Sequence, residues 1–268
     1  MHRATLIRTF SHMFNSHDPL PFMTGFTDGN PAAQAMPTDP PDIGAICQYL
    51  GRGPKDLPGA VCMPCFPGSG EKGHRTRDAF DLNLEPAAIR DAYGRHLPGA
   101  SLIIARRLVE SGVPFVSVHQ EIFDHYGHAY DMHSNNFGML KNLNLPLFDQ
   151  VIPALLQDLD LRGLLDSTLV VVMGEMGRTP KVNASAGRDH WPQCGFSLLF
   201  GGGVRQGLVY GSTDSIGAYP DSHPVSPADF VATVYQLMGI DPHMTVPDRS
   251  GRPIFIAHGG EPVHEIIA

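Results

Sequence analysis

Hydrophobic periodicity is weak over residues 1–100 and regular from about residue 100 onward. Ser101–Ser111 (SLIIARRLVES) has apolar residues at 102, 103, 104, 108 and 109, the spacing of one helix face, with Gly112 as its stop. Val113–His119 (VPFVSVH) predicts a short β-branched strand, with Pro114 tolerated near its start. Asn135–Leu161 is a long amphipathic stretch that Pro146 and Pro153 should bend or divide. Ser167–Met173 (STLVVVM) is nearly continuously apolar, as expected of a strand buried on both faces of a parallel sheet. Together these read as a βαβ crossover. Phe196–Phe200 (FSLLF) predicts a third strand. The Gly201–Gly203 run then predicts a tight hairpin into Leu208–Tyr210. Pro227–Met238 predicts the last clear helix, with Ser226 as N-cap, Pro227 in the first position and Gly239 as its end.

In residues 1–100 only Ile43–Leu50 and Pro86–Tyr93 read as helical; 36–41 and 64–70 read as loops. Gly and Pro, at 29 and 24 of 268 residues, make about a fifth of the chain, against roughly an eighth ordinarily. The expectation is one α/β domain over 1–268, loop-rich up to residue 100.

The net charge of −8 argues against nucleic acid or an anionic membrane surface as partner. No apolar run reaches the length of a membrane span, and the N-terminus lacks the apolar stretch of a signal peptide, so as it stands the chain reads as cytoplasmic. Cys62 and Cys65 form a lone CxxC flanked by prolines, which reads as reduced thiols in a loop.

In open α/β sheets ligands bind beyond the carboxyl ends of strands. Three clusters follow predicted strands or lead into one: Glu121–His133 with Asp124, His125, His128, Asp131 and His133; Gly174–Pro180 with Glu175 and Arg178; and Gly187–Pro192 with Arg188, Asp189 and His190. Mixed imidazole and carboxylate donors suit zinc, manganese or iron, and such a mix can hold two ions for ester hydrolysis. Planar guanidinium forks suit an anionic oxyester.

Asp124-His125-Tyr126-Gly127-His128 resembles the DxxGH metal motif of the alkaline phosphatase superfamily. Val170–Pro180 (VVVMGEMGRTP) and Gly187–Pro192 (GRDHWP) resemble, more specifically, a sulfatase-like bacterial family of that superfamily, the domain of unknown function 1501. The resemblance extends from Ile7–Gly25 to Leu237–Pro253. It implies a three-layer α/β/α fold with a mostly parallel sheet, alkaline-phosphatase-like but lacking its first strand unit. It also implies a metal-dependent hydrolase of phosphate or sulfate esters that takes a small anionic ester and one or two divalent ions, zinc or manganese. By position, Asp124 and His128 would be metal ligands, with Asp131 and His133 (in Tyr130-Asp131-Met132-His133) competing for that assignment. Glu175 and His190 would complete the ligand set, Arg178 and Arg188 would bind substrate, and Asp189 would stand behind them. Family members are usually exported. The family's nucleophile follows a first strand that has no match here; Ser11, Ser16 and Thr24 lack its context, so no catalytic nucleophile is assigned and turnover is expected to be poor. The alternative is a non-catalytic metal- or anion-binding module pairing with another chain.

Overall fold

Residues 2–15, 17, 20–27, 39–63, 78–119, 130–248 and 250–268 are described by a computed structural model. Asp124, His128, Cys65 and the 64–70 loop lie outside them, as do residues 36–38. In chain order the strands that matter here are β1 (Ala4–Phe10), β2 (Val61–Met63), β3 (Val116–Val118), β4 (Val170–Met173), β5 (Gly177–Arg178), β6 (His190–Trp191), β7 (Gly195–Phe200) and β8 (Val209–Tyr210). Contacts group the residues into two units, one of 1–43, 165–183 and 188–268, the other of 44–164 and 184–187.

The first unit is built on a four-stranded sheet ordered β4-β7-β1-β8. β7 runs antiparallel to both β4 and β1, and β8 is parallel to β1. The architecture is mixed α/β, as expected, but the sheet is mixed rather than mostly parallel. β1 falls in a region that read as irregular, yet it is an interior strand paired on both sides. The pattern hid it because Thr5 and Thr9 count as polar. Both are fully buried with Ile7 (each 0% exposed). Their hydroxyls donate to the carbonyls of Arg205 and His223, which removes the cost of burying them. The expected hairpin after the glycine run is also corrected: β8 pairs with β1 instead of folding back on β7. The helix Pro227–Leu237 buries Phe230, Val231, Ala232, Val234 and Tyr235. Phe230 meets Phe10 of β1 edge-to-face, with ring centres 5.6 Å apart. The helix is opened by a full capping box between Ser226 and Asp229.

The second unit is mainly helical. Its strands β2 and β3 pair in parallel with each other. The predicted crossover from Val113–His119 to Ser167–Met173 therefore does not form within one sheet: each strand finds a closer partner, β2 for β3 and β7 for β4. The Leu97–Glu110 helix starts four residues before its predicted start, because the His96 side chain accepts from the Gly99 N–H and Pro98 suits the first turn. The long amphipathic stretch is divided just ahead of Pro146. A π-helical segment over Leu140–Asn144 joins the short helix Asn136–Met139 to Leu145–Leu161.

Ionic contacts bind the helices of this unit around Arg106, which is buried (1% exposed). Its guanidinium lies 2.7 Å from Glu85, 2.8 Å from Glu110 and 2.9 Å from Asp158. Arg107 adds a second bond to Glu85, Arg162 bonds Asp158 and Glu110, and the Tyr93 hydroxyl donates to Asp158. Burial disfavours the charge on Glu85, but the bonds and charges of Arg106 and Arg107 outweigh it and hold its pKa below the usual carboxylate range. Burial and the Asp158 charge push the Tyr93 hydroxyl pKa up.

Candidate metal centre

β1 and β4 flank β7 and both run antiparallel to it, so their carboxyl ends lie at the same edge, where β7 begins. Phe10 pairs with Gly195 there and Met173 with Ser197. The chain leaving β1 carries His12 and His17. The chain leaving β4 turns through Gly174 and carries Glu175. β6, leading into β7, carries His190. Of the residues expected beyond strand ends, Glu175 and His190 stand at this edge.

The GEMGRTP and GRDHWP segments pair as a two-residue antiparallel ladder, Gly177 with Trp191 and Arg178 with His190. Directly opposed residues in such a ladder share a face, so the side chains of Arg178 and His190 leave the ladder on the same side. The ladder extends one rung through the bond from the Thr179 N–H to the Asp189 carbonyl. Glycine is required at 177, where a Cβ would stand 1.9 Å from the Cys194 carbonyl oxygen. The Trp191 indole donates to the Ala218 carbonyl and fixes the strand. Arg188 spends its Nη1 on the carbonyls of Thr179 and Pro180, at 2.6 and 2.7 Å, clipping the loop between β5 and β6. The Asp189 carboxylate accepts from Asn183.

His17 completes the cluster, and sequence patterning missed it. Its Nδ1 lies 2.6 Å from the Glu175 carboxylate, and its ring meets that of His190 edge-to-face with centres 4.5 Å apart. An ionised carboxylate only accepts, so Nδ1 carries a proton, and in the neutral form of the imidazole the lone pair then lies on Nε2. That is the arrangement of a ligating histidine oriented by a carboxylate. A ring nitrogen of His17 lies within 4.8 Å of a ring nitrogen of His190, so both could bind one metal ion. The donor set of two imidazoles backed by a carboxylate suits zinc or another borderline transition ion.

His12, also missed, is buried behind this pair. It accepts from the Phe14 N–H at Nδ1 and contacts the Glu175 carbonyl through Nε2, at 3.1 and 2.8 Å. Burial lowers its pKa below the ordinary histidine value, only partly offset by the bond to that carbonyl and the Glu175 charge.

Of the other expected site residues, Asp131 and His133 belong to the second unit. There the Asp131 carboxylate pairs with the His133 Nε2 at 2.9 Å, both largely exposed. Gly187, the first residue of GRDHWP, packs against the His133–Ser134 backbone so closely that a Cβ would stand 2.0 Å from the His133 carbonyl oxygen.

Residues 71–267 match the family described as "protein of unknown function (DUF1501)". The chain belongs to the DUF1501 family. The DUF1501 match covers both signature segments and most of the second unit, while His12 and His17 precede it. No curated protein and no solved structure matches the chain. Among the described residues, no helix is long and apolar enough to cross a membrane.

Proposed function

We infer that His17 and His190 hold a divalent transition metal ion, zinc or manganese, in a hydrolase acting on small phosphate or sulfate esters. The observation that carries this reading is the Glu175-bound His17 standing against His190, with Arg178 beside His190 on the same face of the ladder. The sequence motifs supply the candidates for further ligands: Asp124 and His128, or Asp131 and His133, with one ion or two. A bound ion would polarise the ester oxygen as a Lewis acid. Glu175 sets the His17 tautomer and ring orientation. Arg178 offers a planar fork of charge-assisted donors to a tetrahedral oxyanion. The fold that accompanies this reading is the three-layer α/β/α, alkaline-phosphatase-like one.

A second reading, a metal- or anion-binding module without turnover, is favoured by Thr24. This hydroxyl is buried and donates to the Leu20 carbonyl, so it is not presented as a nucleophile. Metal analysis of protein purified without chelator should find about one ion or more per chain. Hydrolysis of an aryl phosphate or aryl sulfate that disappears in Glu175→Ala supports the hydrolase; metal binding without turnover supports the module. Failure to bind zinc and manganese on titration would overturn the hydrolase and the metal-binding module, and failure to bind phosphate or sulfate as well would overturn the anion-binding module.

A further inference from the structure

Two histidines of one short segment grip Glu175 from opposite ends. His17 holds the side chain through Nδ1. His12 holds the main chain: its Nε2 lies 2.8 Å from the Glu175 carbonyl oxygen. The carbonyl only accepts, so Nε2 must carry the proton of His12. The Phe14 N–H points at Nδ1, 3.1 Å away, so Nδ1 must be the acceptor. Both nitrogens of His12 are thus committed within the protein, in one tautomer. The side chain is also 7% exposed and set edge-to-face on Phe10, with ring centres 5.7 Å apart. His12 is therefore placed to orient Glu175 and is not itself placed to ligate.

Glu175 needs such a support. It stands in the turn between β4 and β5, after Gly174, with no ladder partner of its own. Its backbone bond to His12 anchors the turn to the segment that leaves β1. The Ser11 and His12 N–H groups in turn bond the Val225 and Pro192 carbonyls. We propose that His12 is a positioning residue, which through the Glu175 main chain keeps the Glu175 carboxylate on Nδ1 of His17 and so keeps the His17 lone pair on Nε2. The inference rests on the metal-site reading for its purpose, but the orientation it asserts is measurable without metal.

The test compares His12→Asn, His12→Gln and wild type. Asparagine at 12 can accept from the Phe14 N–H, a local bond two residues on, but is too short to reach the Glu175 carbonyl. Glutamine is long enough to serve both partners. With histidine-selective ¹⁵N labelling, long-range ¹H–¹⁵N spectra report the His17 tautomer in metal-free protein. Wild type should show the Nδ1-protonated form, His12→Asn a mixture of the two, and His12→Gln a return toward wild type. Zinc titration should follow the same order, with His12→Asn about 10–100-fold weaker, the usual cost of losing support behind a metal-ligating histidine. A folded His12→Asn protein with the wild-type His17 tautomer and unchanged zinc affinity would overturn the inference. If His12→Asn does not fold, His12→Ser takes its place, since its hydroxyl can also accept from the Phe14 N–H but cannot reach the Glu175 carbonyl: a mixed His17 tautomer supports the proposal, and the wild-type tautomer overturns it. If wild type binds no zinc, the metal-site reading fails, while the tautomer comparison still decides the role of His12.

Discussion

The Nδ1 of His17 stands 2.6 Å from Oε1 of Glu175, across 158 residues of sequence. The contact joins the segment leaving β1 to the turn leaving β4, and it converts a partly exposed imidazole into one with a set orientation. The first prediction follows from it. Glu175→Ala should weaken zinc binding by about 10–100-fold. Glu175→Gln, which keeps an acceptor oxygen but loses the charge, should lose less. Calorimetric titration of the three proteins checks this. Equal affinity across them would mean that Glu175 does not act on a metal through His17.

Arg178 and His190 are cross-strand neighbours in the β5–β6 ladder. If the arginine serves anion recognition, its fork matters more than its charge. Arg178→Lys should then weaken binding of phosphate, sulfate or vanadate at least several-fold, with metal content unchanged. Were metal content to fall instead, with anion binding merely following it, Arg178 would be a structural support for His190.

The ionic network of the second unit predicts a stability effect separate from the site. Arg106→Met strands Glu85 and Asp158, both buried, with charge only partly compensated by Arg107 and Arg162. The cost should be about 3 kcal/mol, at the lower end of the range for breaking a buried pair, because those two arginines remain. Urea unfolding followed by a probe in this unit measures it. A change under 1 kcal/mol would show that the network does not bear on stability.

The same network sets a pH dependence. The folded-state pKa of Glu85 lies below its unfolded value, so the unfolded chain takes up the proton first. Its stabilising contribution is complete above about pH 4.5 and is lost as pH falls through the folded-state value. Glu85→Gln should therefore flatten the acid limb of stability against pH relative to wild type. Parallel curves for the two proteins below pH 4.5 would contradict the assignment.

The local content of the sequence was enough for most elements taken singly. Apolar spacing of 3.6 residues marked the helices around 101–111 and 145–161, cap residues marked the one over 227–237, and continuous apolar runs marked β4 and β7. Turn chemistry placed Gly174 and Ser226 at element boundaries, and the GEMGRTP and GRDHWP segments marked Glu175, Arg178 and His190 as site residues. Strand pairing was not legible, because register and direction depend on which edges meet, and an apolar run is compatible with either direction. So β3 and β4, adjacent in the expected crossover, belong to different sheets, and β1 is interior despite its two threonines. His12 and His17 were likewise out of reach of pattern reading. They lie in an aperiodic segment, and their roles come from hydrogen bonds to a residue more than 150 positions away. Only the antiparallel placement of β7 between β1 and β4 brings those two carboxyl ends to one edge, where the imidazoles and the carboxylate can meet.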